Sequence, residues 1–576
     1  MIIALNLMNS NGILAGSSER LIDVATASGA PIATQLENNT RKYFLNLMVV
    51  AGRGAPIATG AAEPTAQLLE STLTRLDASL YQESERAVRA ELDGLIQQFA
   101  EYGIYAPRLK IHDDTITVNL KGGELLHNAA RFFQAYEMLN EPRYLRAGLK
   151  TADLFLQIQQ PRGHFPVRII VRRGGRVTAE GELWEAPEMV RLQDNIQYPS
   201  FCLLLYAHKL TGEAKYFDAA KRCADLVHSL QNPENGSVPD YVGPTKPNFP
   251  FPLYWPNAQS DPDLVTTWAG IMNGGSFNDD ATTDAFRMSV MMYHLSKDPS
   301  YLDRSSKIGQ WMFDTQLGEG LVRGWCEQYG PDNQPAWVRW WEGPVIHSRT
   351  FQQCVGKMLA WFYAVTGEVR YRTLFEETYN WMRTVETPGD AGGLPRSFLP
   401  DGSPVFSHNW KTYRYDRPET WPDPRRMTAD ELSVWNNDTQ PDGGHRVSVQ
   451  SAPHRAFEKK FDENQKIKQL LDVGGRDALR AWHRGPTQYS HVQYLEARLA
   501  AARRVLAREI RGKGLTPWEH VWDYRLAQGW IDAKVAAHGG RGLESYASPR
   551  PHWMEQCMEV EDWLDIPLGP QSKPRP

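Results

Sequence analysis

Cysteine is scarce in this chain of 576 residues. There are five (Cys202, Cys223, Cys326, Cys354 and Cys557), at spacings that match no zinc motif, and the odd count argues against a disulfide-built scaffold. Long apolar runs are missing as well: none approaches the ~20 residues a membrane-spanning helix needs, so no membrane partner is expected. Charge of one sign is also lacking, because 63 Lys and Arg stand against 68 Asp and Glu for a net charge of −5. That balance gives no footing for nucleic acid or an anionic membrane surface. P-loop, dinucleotide-binding and Ser-His-Asp patterns are absent. Aromatic residues are plentiful, with 19 Trp, 23 Tyr and 20 Phe. They suit sugar-stacking faces and an aromatic core equally well.

Residues 1–60 read as a weakly structured leader. Met1–Met8 is apolar but has no basic start and no small-residue cleavage site. Beyond it the chain repeats itself. Four segments share an apolar helix, a short polar turn ending in Tyr, a second helix, and a Gly/Pro loop. The turns are LNEPRY, LTGEAKY, LSKDPSY and VTGEVRY, ending at Tyr144, Tyr216, Tyr301 and Tyr371, and the loops are GHFP (163–166), GSVP (236–239), GLVRG (320–324) and GGLP (392–395). Ala281, Ala285, Met288, Met292 and Leu295 form one helical stripe, whereas 198–210 is apolar nearly all round, as a helix buried on both sides would be. Alternation of these two kinds predicts an all-α (α/α) toroid of repeated hairpins over 61–424, with the loops collected on one rim. A stacked solenoid is the alternative. Residues 425–576 read as a helical C-terminal extension.

Polar clusters fall at corresponding places in the repeats. Asp194-Asn195 precedes the buried helix, and Asn278-Asp279-Asp280 precedes the helix at 281. Acids there either cap the helices or gather on one rim to hold a hard cation such as Ca²⁺. A third cluster, Trp325–Glu342, sets Arg339 among Trp337, Trp340 and Trp341. Such an arginine either stacks on indoles structurally or stands at the mouth of an aromatic cleft that takes an acidic sugar. Arg396 offers a second fork for a carboxylate. His164, His347 and His408 lie in loops of the same kind.

In this order the clusters resemble the family 10 polysaccharide lyases, the pectate (pectic acid) lyases with an (α/α) toroid. The Gly-Gly-Trp-Pro loops of that family are similar to 163–166 and 236–239, its Asp-Asn helix start to Asp194-Asn195, and its Thr-Phe-Asn-Asp-Asp-Ala segment to Ser276–Ala281. Its Trp-Cys-Gln-Gln segment is similar to Trp325–Gln328, and its Pro-Ala-Trp-Ala-Arg-x-x-Glu segment to Pro335–Glu342. The resemblance spans about residues 120–416. It departs at Phe165 and Val238, where the family has Trp, at Tyr329-Gly330 in place of His-Asp, and at Ile346-His347-Ser348-Arg349 in place of Ser-Gly-Glu-Ser.

The resemblance implies β-elimination on an acidic, uronate-containing polymer such as pectate. Arg339 would be the base and Asp279 would share the catalytic work. Ca²⁺ would sit on Asp194, Asp279 and Asp280, and Asn278, Trp337, Trp340, Glu342, His347 and Arg396 would bind substrate. An arginine base predicts an alkaline optimum, since a guanidinium is otherwise always charged. A secreted or periplasmic location follows from the nature of such a substrate, and a monomer is the expected state. Two other readings stay open. One is a toroid hydrolase or epimerase using carboxylates among Glu182, Glu185, Asp240 and Glu342; the other is a non-catalytic carbohydrate-binding protein.

Overall fold

The computed structural model describes residues 62–532 apart from 106–111, 122–123, 182–184, 244–273, 338–341, 387–393, 409–410, 422–456, 459–461, 485–490 and 512–514. The leader, Glu182, Arg339, Trp340 and Trp341 therefore lie outside the described residues. All four hairpins of the repeat are present. They pair α3 (Glu124–Leu139) with α4 (Pro142–Ile158), and α5 (Gln197–Thr211) with α6 (Ala214–Leu230). In the third, α7 (Ala281–Ser296) is followed by a short turn of helix and α8 (Ile308–Asp314); the fourth pairs α9 (Gly356–Thr366) with α10 (Val369–Val385).

One backbone device makes each hairpin turn. The residue four before the repeated tyrosine is left-handed in every copy: Asn140 (φ 53°), Gly212 (φ 71°), Lys297 (φ 59°) and Gly367 (φ 73°). A left-handed residue just past a helix end satisfies its last carbonyls and reverses the chain, which Gly does without a Cβ penalty and Asn at a small one. All four tyrosines are buried, and those of the second and third hairpins fasten their hairpin to the one before. Tyr216 donates its hydroxyl to Asp153 of α4 at 2.8 Å, and Tyr301 donates to Asp225 of α6, the corresponding position one repeat on.

The inner helices α5 and α7 are buried on every side over most of their length. The stripe Ala281, Ala285, Met288 and Met292 faces the first of two large cores, while Phe286 and Val290, on the other side of α7, enter the second. The sequence pattern showed only the first face. Among the described residues the first two helices, α1 (Ala62–Leu73) and α2 (Ala78–Gln98), receive the last two, α12 (His491–Arg511) and α13 (Pro517–Gln528). Arg131 of α3 stacks 5.0 Å over Trp518 of α13, and α11 (Asp462–Arg484) covers α9. The row of hairpins thus curls back on its own beginning, which is the (α/α) toroid. Among the described residues no helix is long and apolar enough to cross a membrane.

Short strands trim the rim. A three-stranded meander joins β1 (Thr115–Asn119), β2 (Arg168–Arg172) and β3 (Val177–Glu180). A four-stranded sheet sets β4 (Ile346–His347) beside β5 (Ser397–Phe398), β6 (Pro404–His408) and β7 (Lys411–Arg414).

Candidate functional site

The starts of the four inner helices share one rim, and that rim carries a line of charge. Lys121 precedes α3, Asp194-Asn195 precedes α5, Asp279-Asp280 precedes α7, and Arg349 stands in the turn of helix that leads into α9. Lys121 Nζ lies 3.5 Å from Asp194, and Arg349 donates to Asp279. Two cations from the outer pair of hairpins therefore flank two acids from the inner pair. The four side chains are 12 to 20% exposed, so solvent reaches this layer.

The acids owe their placing to an uncommon backbone. Asp194 and Asn195 (φ 65° and 51°) and Asp279 and Asp280 (φ 44° and 64°) are consecutive left-handed pairs at the same place in adjacent repeats. Asp and Asn tolerate this conformation best among residues with side chains, yet such pairs are costly and gather at functional sites. Neither α5 nor α7 has a side-chain cap. The capping account of these acids is thereby set aside: the double left-handed turn aims the carboxylates of Asp194 and Asp279 at neighbouring cations, while Asp280 meets the Cys354 thiol.

A buried polar layer lies beneath. Arg191 donates to Glu185 and, at 2.7 Å, to Asp194. Asn278 ties the two acid turns together, donating its amide to Gln193 at 2.5 Å and to Asp240 at 3.3 Å. Arg396 donates to Glu342 and stands 4.0 Å from Glu327, all three buried. Two residues read as substrate ligands thus hold each other. His347 is buried too. Its Nε2 bonds the Gly343 carbonyl at 3.0 Å and its Nδ1 meets the Ser397 hydroxyl at 3.2 Å. A carbonyl can only accept, so Nε2 carries a proton. The ring pins the loop before β4 to β5. Trp337 is half-buried near Gly343. Deeper in α7, burial raises Asp284 far above the usual carboxylate range.

The departures from the lyase pattern are mostly core substitutions. Phe165 packs on Phe155 at 5.5 Å and Val238 is buried. Tyr329, fully buried, donates its hydroxyl to the Thr315 carbonyl and accepts the Cys326 amide, both at 2.8 Å. Arg349 is the exception, since it reaches the rim.

Calcium requires about six to eight oxygen ligands around one point. Among the described residues no three His, Cys, Asp or Glu side chains converge in that way. Asp194 faces Arg191 and Lys121, Asp279 faces Arg349, and Asp280 accepts from the Cys354 thiol at 3.2 Å. This donor set does not fit a resident Ca²⁺, because an ion at Asp279 would have to displace a guanidinium. Sequence reasoning missed Lys121, Arg191, Gln193, Arg349 and Cys354. Their offset from the inner-helix starts was the available signal.

No family model matches the chain, and no curated protein matches it. Among solved structures, it is similar to a mutant family 10 polysaccharide lyase from Cellvibrio cellulosa in complex with trigalacturonic acid. The identity is 16%, over 50% of this chain and 88% of that one, with a TM-score of 0.34. The GH76A alpha-1,6-mannanase of Salegentibacter sp. HEL1_6 is similar at 12% identity over 65% and 92% of the two chains, TM-score 0.30. Cellobiose 2-epimerase of Bacillus thermoamylovorans B4167 is similar at 12% over 61% and 96%, TM-score 0.24. Likenesses at this level do not assign a reaction.

Proposed function

We propose that this protein is a carbohydrate-active enzyme that cleaves an acidic, uronate-containing glycan by β-elimination at the rim of the toroid. One observation carries the reading: Glu185, Asp194, Asp279 and Glu342 are all bound to arginines. A carboxylate already taking a guanidinium's hydrogen bonds is a poor proton donor, whereas a glycosidase needs one acid that gives up a proton and a second that acts as base or nucleophile. The same cations suit a substrate that is itself a carboxylate.

In such a step the base takes the C5 proton of the uronate. The C–H electron pair becomes the C4–C5 double bond as the C4–O4 bond breaks, and the departing oxygen takes a proton from water. Charge that builds on the carboxylate during proton removal needs a preorganised cation nearby. Arg339 is the base this reading assigns, on the family resemblance, and its guanidinium returns the proton to solvent. Ultraviolet absorbance of the new double bond tests the reaction. Incubation with polygalacturonate and other uronate polymers should raise it, most steeply at alkaline pH, and Arg339→Ala should abolish the rise. New reducing ends without absorbance would point to hydrolysis instead.

A further inference from the structure

We propose that the Arg349 guanidinium is the resident counter-cation of Asp279, in the place where the family resemblance implies a metal ion, and that it also receives the substrate carboxylate. The second half rests on the elimination reading, whereas the first does not. Arg349 sits where the family has the last serine of Ser-Gly-Glu-Ser, and it comes from the hairpin after the one that carries Asp279. Three contacts fix it there. Its Nη2 donates to Asp279, and its Nε donates to Gln353, one turn along. The third is indirect: Cys354 Sγ bonds the Phe277 carbonyl at 3.1 Å and Asp280 at 3.2 Å, docking the start of this inner helix on the acid turn itself.

The helix is built for this docking. Residues Phe351–Val355 form a π-helical turn between Ser348–Thr350 and α9. A π turn inserts a residue into the α-helical spacing and rotates whatever precedes it about the helix axis. Arg349 is thereby turned relative to the fully buried face of α9. Burial pushes the Cys354 thiol well up, so it stays a neutral donor against Asp280. Arg349 remains 20% exposed at the rim while bound to Asp279. A planar guanidinium can hold one carboxylate and present another edge to a second. It therefore supplies fixed positive charge beside a substrate carboxylate without a divalent ion.

Calorimetric titration with calcium chloride alone tests the first half directly. Wild-type protein and Arg349→Lys should show no saturable binding tighter than about 1 mM, the weak end of protein calcium sites. Arg349→Ala, which frees Asp279, should gain such a site, and adding Asp279→Asn should remove it. Saturable wild-type binding that Asp279→Asn abolishes would overturn the proposal, as would a folded Arg349→Ala that gains none. If circular dichroism shows Arg349→Ala unfolded, the wild-type and Arg349→Lys titrations decide. Where a uronate polymer is turned over, chelator should leave the wild-type rate within about twofold, and Arg349→Ala should raise KM by about tenfold or more, the scale of one lost charge-assisted hydrogen bond. Absence of turnover on every polymer would count against the elimination reading, and the calcium titration would still judge Arg349.

Discussion

At the residue scale, the buried ion pair Arg396–Glu342 illustrates how far a motif can be read. Both residues were legible in the sequence as chemistry-bearing, but nothing in the sequence said that they would face each other. An arginine 54 residues downstream of a glutamate gives no local sign of contact. Removing one partner leaves a buried, uncompensated charge. Arg396→Met should therefore cost about 3–5 kcal/mol of stability, whereas Arg396→Met with Glu342→Gln should recover most of it. Urea midpoints of the two variants check this. A single and a double variant that unfold alike would show that the pair is not what makes the position sensitive.

His164 makes a second residue-scale case. Burial, ahead of its other influences, holds it down to about 4, so it is neutral at pH 7. Its unfolded value is about 6.5. Between these values the unfolded chain binds the extra proton, so stability is fully present above pH ~6.5 and is lost as pH falls toward 4. The melting temperature should drop over that window, and His164→Gln should flatten the drop. An unchanged slope in the variant would contradict the assignment.

At the scale of the element, the hairpin turn was the most legible feature. The recurring Tyr, the helical stripe in α7 and the apolar run in α5 all pointed to paired helices, because each is a local pattern set by short-range geometry. The left-handed residue at each turn was less visible, since Asn140, Gly212, Lys297 and Gly367 share a conformation but not an identity. Lysine is the poorest fit among them. Lys297→Gly should stabilise the protein by about 1 kcal/mol, the cost of a side chain in that region. Gly212→Ala, which meets no neighbour within 4 Å, should destabilise by a similar amount. Denaturant midpoints shifting in opposite directions would support the shared turn, and shifts of the same sign would not.

The two acid turns at the helix starts were ambiguous for a physical reason. Asp and Asn before a helix serve as caps far more often than as site residues, and the sequence carries no record of φ. Only the consecutive left-handed conformations, repeated in adjacent hairpins, separate the two meanings. Lys121 escaped notice as a single cation outside any motif, and Arg349 was legible only as part of a departure from the lyase pattern. Their significance arises when neighbouring hairpins bring them to the acids.

At the scale of the whole molecule, the rim exists because the hairpins return on themselves. Helices α12 and α13 pack on α1 and α2, while α11 packs on α9, so the first and last described helices brace the same ring. A row of inner helices with their starts on one face concentrates positive helix ends there. To these the protein adds Lys121, Arg191, Arg349 and Arg396, bound to acids that would otherwise repel a polyanion. That distribution of charge is the basis for expecting an acidic glycan and an elimination in which protein cations neutralise the carboxylate.

The mass of the products from a defined uronate oligosaccharide tests this account most directly. Elimination predicts that the fragment bearing the new double bond is one water lighter than the corresponding hydrolysis fragment, with the same yield in chelator. Fragments that all carry the added water, or an isomer of unchanged mass, would contradict it.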